Sequence, residues 1–462
     1  MIIDRVFTPS LAQVAYLVAD ETTGDLAVID PRRDIQACLD WASEHSLRIS
    51  AILETHVHAD FVSGAPELAA ATGAPLYASR QGQQDFPHTP LDDGDEVRVG
   101  TLILRAIATP GHTPEHLSYL LINPAQGPEP VALFSGDALF VGEVGRPDLL
   151  GESQTKTLAS QLYTTVSETL SGLPDALTVY PGHTAGSSCG RKIGDSPTTT
   201  IGDEKRFNYA FRPKSEDEFI STVLSGMPLA PTYYPELKRV NKEGAAPIES
   251  LKPGSALSTE EVTERVRSGA LVIDGRGQDA FGEGHIPGSV ALGLGPNFLT
   301  WAGWLAPYDR SLILVLDDPA QYPDAVRELR RIGLDQVDGF LDGGIAAWKA
   351  TGHPVEPLAQ ITVDGLRARL EEEASPPLVL DVRREDEWEE GHIEGAGHRF
   401  AGEIAQGASI PFDPGQETAI ICGTGYRSSL VASLLQARGH TSLINVSAGM
   451  EAWNEASLPT VQ

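Results

Sequence analysis

The sequence predicts a multidomain α/β protein: strands mixed with helices over residues 1–245, then two tandem domains over 246–356 and 357–462. Three observations carry this. Four apolar, strand-like runs in the first part each end in histidine or aspartate. A stretch rich in Lys, Gly, Ala and Pro over 241–254 has linker composition. The remainder repeats itself at an offset of about 107 residues.

In chain order, 14–18 and 26–29 read as short apolar strands about a turn at Thr23-Gly24. Helical spacing of Ile35, Cys38, Leu39 and Ala42 predicts a helix over 35–44. The run 49–53 reads as a buried strand leading into His56, His58 and Asp60. Ser63 is expected to cap a helix that runs to about Thr72, with Gly73 past its end. Residues 97–104 read as a hairpin turning near Gly100, and 117–122, 131–134 and 177–180 as further strands. In the repeat, Asp274-Gly-Arg276 is echoed by Asp381-Val-Arg383. Gly284-His-Ile is echoed by Gly391-His-Ile, and the segment up to Trp348 by the one up to Trp453. Each copy alternates short apolar strands with helical stretches, the pattern of a parallel sheet covered by helices.

Composition narrows the function classes. Acidic residues outnumber basic ones 64 to 34, for a net charge of −30. That argues against nucleic acid or an anionic membrane as partner, because both need a positive face. No apolar run approaches the roughly 20 residues of a membrane span. The N-terminus shows no basic-then-apolar secretory pattern. Three distant cysteines, Cys38, Cys189 and Cys422, form no disulfide framework and fit a reducing, cytoplasmic setting. A homo-oligomer is compatible with the sequence, which does not fix the assembly state.

The chemistry is concentrated at strand ends. His56, His58 and Asp60 alternate along one strand end, so they can converge on one point, and imidazole and carboxylate suit Zn or Fe. Later segments add Gly111-His112, with His116 close behind, then Gly136-Asp137 and Gly182-His183. Glycine before each ligand-type residue lets the backbone turn sharply. A lone histidine is usually an ordinary surface or core residue; four such clusters in succession point to a metal site.

In this order of motifs, residues 1–245 resemble the metallo-β-lactamase superfamily, which implies an αββα sandwich. The family's Asp-His pair is Asp60-Phe61 here. Phenylalanine cannot ligate, so the resemblance implies one metal rather than two. The branch resembled is the persulfide dioxygenases, whose single Fe(II) takes two His and one Asp, matching His56, His112 and Asp137. His58, Asp60 and His183 then orient ligands or water. The matching segments 142–148 and 180–183 make Arg146, whose guanidinium suits a carboxylate, and Tyr180 the expected substrate-binding residues. Glutathione-using members often carry His-Asp-Tyr where this chain has His183-Thr184-Ala185, which leaves the thiol carrier open. Cys189, in a Gly/Ser-rich loop, reads as structural, with a redox role as the alternative.

Near the C-terminus, Cys422 follows an apolar strand directly and Arg427 closes a six-residue loop before a helix. Loop N–H groups, the helix N-terminus and Arg427 would lower a thiol pKa and hold a persulfide anion. Together with Asp381-Val-Arg383 and Gly391-His392-Ile393, this resembles the rhodanese family, which implies a doubly wound parallel α/β domain passing sulfur through a Cys422 persulfide. The preceding copy resembles the same family without its cysteine. The offset puts Leu316 or Asp317 at that place and Gln321 near the arginine's, so this copy is a degenerate spacer or docking domain.

The combined expectation is an enzyme with one Fe(II) per chain. It would oxidise a low-molecular-weight thiol persulfide with O2 to sulfite, and transfer sulfur through Cys422 to give thiosulfate. The alternatives are a Zn-dependent thioester hydrolase of the glyoxalase II kind with an attached sulfurtransferase, and a sulfur-carrier or redox-sensing protein.

Overall fold

Period-two alternation organises the N-terminal part. β1 (Ile2–Thr8), β2 (Gln13–Asp20), β3 (Asp25–Ile29), β4 (Arg48–Leu53), β5 (Leu76–Ser79) and β6 (Thr89–Leu91) lie side by side in that order in one six-stranded sheet. β7 (Glu96–Val99), β8 (Leu102–Ala108), β9 (Leu117–Ile122), β10 (Pro130–Gly136), β11 (Thr178–Pro181) and β12 (Thr199–Thr200) form a second. In β2, Val14, Tyr16 and Val18 turn inward to meet Leu104, Tyr119, Leu121 and Phe134 of the second sheet. Leu17 and Ala19 turn outward, against Cys38, Ala42, Ala65 and Leu68 of the helices Gln36–Glu44 and Ala65–Thr72. The second sheet's outer face packs Leu133 and Val179 on helices that include Glu152–Thr164 and Glu216–Leu224. Two sheets with helices outside each is the αββα sandwich expected.

The computed structural model describes residues 1–462 and separates into two compact units, 1–250 with 330–333, and 251–329 with 334–462. No helix is long and apolar enough to cross a membrane.

The second unit holds two five-stranded sheets, all of whose pairs are parallel. One has β13 (Ser255–Leu257), β14 (Leu271–Asp274), β15 (Val290–Ala291), β16 (Leu312–Val315) and β17 (Val337–Leu341), in the order β13-β17-β16-β14-β15. The other has β18 (Ala359–Ile361), β19 (Leu378–Asp381), β20 (Gly397–His398), β21 (Thr418–Ile421) and β22 (Leu443–Val446), in the order β18-β22-β21-β19-β20. The two orders are the same, strand for strand. The repeated motifs are structural clamps. Arg276 pairs with Asp274 and donates to the Gly284 carbonyl; Arg383 pairs with Asp381 and donates to the Gly391 carbonyl. His285 stacks on Phe281 and His392 on Trp388. The copies meet through Trp301, Trp304 and Phe400.

Two local expectations shift. The helix Ala65–Thr72 starts after Gly64, not Ser63. The Ser63 hydroxyl accepts from the Ala65 N–H, while its own N–H is held by Asn241. β1 was not foreseen, because Ile2 to Thr8 lacks a continuous apolar run and is defined by pairing with β2.

Candidate metal centre and sulfur-transfer loop

Four chain segments converge at one end of the sandwich: the ends of β4, β10 and β11, and the β8–β9 connection. Gly136 takes a positive φ of 51°, and a Cβ there would lie 2.7 Å from His116 Nε2 and from Thr55 Oγ1. Gly182 is needed for room instead, since a Cβ would lie 2.8 Å from Asp137 Oδ1.

His56, His112 and Asp137 are buried together. His112 Nε2 is 3.4 Å and His56 Nε2 3.8 Å from Asp137 Oδ2. All three atoms are buried without a hydrogen-bond partner. The surroundings fix their lone pairs. His112 Nδ1 donates to the Arg146 carbonyl at 3.0 Å. His56 Nδ1 donates to Thr55 Oγ1 at 2.9 Å, and that hydroxyl donates to Asp30 Oδ2 at 2.8 Å. Each Nε2 is therefore left unprotonated and facing Asp137. Burial, foremost, lowers the pKa of both histidines. Neutral imidazoles beside an anionic carboxylate are a donor set suited to a divalent metal, and three converging orphaned atoms are what such an ion would satisfy.

The neighbours behave differently. His183 donates from both ring nitrogens, to Asp137 Oδ1 at 2.9 Å and Asp60 Oδ2 at 2.8 Å. Burial opposes its charge, yet the two carboxylates raise its pKa well above the ordinary value. His58 donates to Asp30 Oδ1 at 3.2 Å. Burial again opposes, but Asp30 with Glu54 and Asp60 raises its pKa to about 9. Phe61 is fully buried with its ring on His58. Asp137 N–H donates to His116 Nε2 at 3.0 Å, which helps aim the carboxylate.

Cys189 is also here. Its sulfur joins Asp60 and His183 in a second buried group of ligand-type atoms, 3.9 Å from the Tyr234 hydroxyl. Burial and the nearby Asp60 and Asp137 push its thiol pKa well up. Sequence reasoning missed this placement, and missed Asp30, Thr55, Lys238 and Asn241. Asp30 offered one signal, an acid directly after the apolar β3, and Thr55 directly precedes His56; Lys238 and Asn241 come from a distant helix.

The two residues expected to bind substrate, Arg146 and Tyr180, are both packed into the fold. Arg146 is buried and engaged by the chain itself: Nε and Nη2 donate to Asp148, Nη1 to the Ser188 carbonyl and Nη2 to the Pro228 carbonyl. It ties loops together rather than offering a free guanidinium. Tyr180 is half-buried between the sheets, against Tyr16 and Phe134.

In the second unit, Cys422 follows β21 and is fully buried. Its sulfur accepts from the Gly425 N–H at 3.2 Å and lies 3.4 Å from Ser428 Oγ, at the start of the helix Tyr426–Ala437. Arg427 is not free: it donates to Glu387 through both terminal nitrogens, at 2.6 and 2.7 Å. Arg427 therefore stands at the loop as half of an ion pair. The register also settles the other copy. Asp274 pairs with Val315 as Asp381 pairs with Ile421, so Leu316 occupies the place of Cys422.

The sequence comparisons agree with this architecture. The Metallo-beta-lactamase superfamily pattern matches residues 9–183, and the Rhodanese-like domain pattern matches 258–351 and 362–456. A hydroxyacylglutathione hydrolase of Polaromonas sp. is 32% identical over 241 residues, 46% of this chain and 87% of its own length. A crystal structure of a metallo-beta-lactamase from Staphylococcus aureus is 33% identical, with a TM-score of 0.67, covering 73% of this chain and 98% of that one. A crystal structure of ETHE1 from Myxococcus xanthus is 32% identical, with a TM-score of 0.46, covering 52% of this chain and 98% of that one. The chain belongs to the metallo-beta-lactamase superfamily. Two rhodanese-like domains follow its metal-binding fold in the same polypeptide.

Proposed function

We propose that the protein is a persulfide dioxygenase joined to a sulfurtransferase. In this reading 1–245 is the oxidising domain, 246–356 a degenerate rhodanese domain and 357–462 the active one. The observation that carries it is the convergence of three buried, unpartnered ligand atoms on His56, His112 and Asp137, beside a group whose histidine is already engaged at both nitrogens. That supports one metal rather than two. Iron bound there would supply open coordination positions and the redox chemistry that reduction of O2 requires.

The chain's own residues do the rest. Thr55 with Asp30, and the Arg146 carbonyl, hold the two imidazoles in the metal-binding tautomer. His183, charged between Asp60 and Asp137, holds Oδ1 and leaves Oδ2 for the ion. Buried Phe61, packed on His58, and Phe140, beside His183, give the site an apolar wall. The overall reaction takes a thiol persulfide, O2 and water to the free thiol and sulfite. At the other site, the outer sulfur of a Cys422 persulfide passes to sulfite; the S–S bond breaks, a new S–S bond forms in thiosulfate, and Cys422 leaves as thiolate. The Gly425 N–H and the helix N-terminus stabilise that thiolate.

Metal analysis of anaerobically purified protein, followed by O2 uptake with a panel of thiol persulfides, tests the first half. About one iron per chain with persulfide-dependent uptake is expected. Cys422→Ser should keep O2 uptake and lose thiosulfate formation, measured in the same assay; unchanged thiosulfate output would remove Cys422 from the pathway.

A second reading, a zinc thioester hydrolase, is favoured by the name of the Polaromonas relative and by the Asp60–His183–Cys189 group. Two zinc ions per chain and hydrolysis of a glutathione thioester without O2 uptake would establish it instead.

A further inference from the structure

One helix covers the metal centre with a single face. Tyr234, Lys238 and Asn241 lie one turn apart on the helix Tyr234–Glu243. The Tyr234 hydroxyl is 3.9 Å from Cys189 Sγ. Asn241 donates to the carbonyls of His58 and Phe61 at 2.8 and 2.6 Å, and accepts from the Ser63 N–H at 2.8 Å. The helix is thus fixed to the site at both ends of this face, with Lys238 between them. The lysine stem is half-buried, while its Nζ is fully buried with no hydrogen-bond partner.

An ammonium in that position is costly unless an anion meets it. The chain does not supply one by hydrogen bonding. Nearby Glu115 turns Oε1 to the Val57 N–H. Burial lowers the Lys238 pKa, and the opposing influences are Glu115 and Cys189. A divalent ion on two neutral imidazoles and one carboxylate leaves the centre net positive, and Lys238 adds to that. Arg146, the cation that sequence reasoning chose, is already engaged.

We propose that Lys238 is the anion-binding residue of the metal centre, pairing with the sulfur-centred anion that arrives or leaves there: the persulfide anion on entry and sulfite on exit. This rests on the persulfide reading. Because Nζ is buried on the helix face whose Tyr234 and Asn241 touch the site, it is suited to the reacting end of the substrate rather than to carboxylates of the thiol carrier at the rim.

Sulfite is the probe. It is titrated by calorimetry into the metal-loaded full chain under argon, with metal content and melting temperature read for each variant. Wild type should bind sulfite saturably. Lys238→Met, close in shape but uncharged, should weaken binding about 30-fold or more through loss of one buried charge pair. Lys238→Arg, which keeps the charge, should stay within about ten-fold. Wild type that does not bind sulfite overturns the proposal. So does Lys238→Met with normal metal content and unchanged affinity, or equal weakening in both variants. If only the persulfide reading is wrong, O2 uptake with persulfides is absent while Lys238-dependent sulfite binding remains.

Discussion

His56, His112 and Asp137 form one buried triplet of ligand-type side chains; Asp60, His183 and Cys189 form another close by. By residue type either could hold a metal. In the first, Nε2 of both histidines and Oδ2 of the aspartate have no partner, and each imidazole is turned by a hydrogen bond at its far nitrogen. In the second, the imidazole is spent, bridging two carboxylates. Ligand identity alone marks both clusters, and the direction of lone pairs favours the first as the candidate ion site. With an ion on the first cluster the second would serve it, because the proton on His183 Nδ1 occupies Oδ1 of Asp137 and leaves Oδ2 open.

The largest effect should come from breaking the first cluster. His112→Ala removes one of three ligands and should lower iron affinity about 100-fold or more, with O2 uptake lost, measured by metal analysis and an oxygen electrode. Iron retained in full would move the site elsewhere. Next, His183→Gln should leave Asp60 and Asp137 buried without their countercharge and cost about 3–5 kcal/mol of stability in metal-free protein, read by denaturant unfolding. The pH dependence has a defined sign. A histidine whose folded pKa is raised contributes stability that is complete below its unfolded value and is lost as pH rises through the folded one. His183 is raised well above the usual value, so its contribution should persist across neutral pH and fade only in alkali. Loss of stability already near pH 6 would mean that its charge is not held by the two carboxylates. The smallest effect is expected at Cys189. Cys189→Ala should leave metal stoichiometry unchanged; a drop from two ions to one would make the second cluster a metal site after all.

The tandem copies teach the same distinction. Both keep the Asp–Arg clamp and the stacked histidine, Asp274–Arg276 with His285 and Asp381–Arg383 with His392. These hold the fold and survive in a copy that has Leu316 where the other has Cys422. Fold and chemistry sit on separable residues.

Local signals made much of this legible in the sequence. Short apolar runs specified strands such as β2 and β9, because both faces of each strand are covered, one by the facing sheet and the other by helices. The near-107-residue repeat specified two alike domains. Strand-end motifs brought His56, His58, Asp60, His112, Asp137 and His183 forward together, the family resemblance then singled out His56, His112 and Asp137, and the Cys422 loop announced itself by following a strand and preceding a helix. Tertiary structure alone decided what the charges do. Arg146 and Arg427 looked available, but Asp148 and Glu387 engage them. Cys189 read as structural, yet long-range packing sets its sulfur with Asp60 and His183, and the helix carrying Lys238 is tied to His58 and Phe61 through Asn241. The physical reason is range. A strand or a turn is fixed by neighbours in the chain, whereas the partner of a buried charge is whatever the folded chain places within a few ångströms of it.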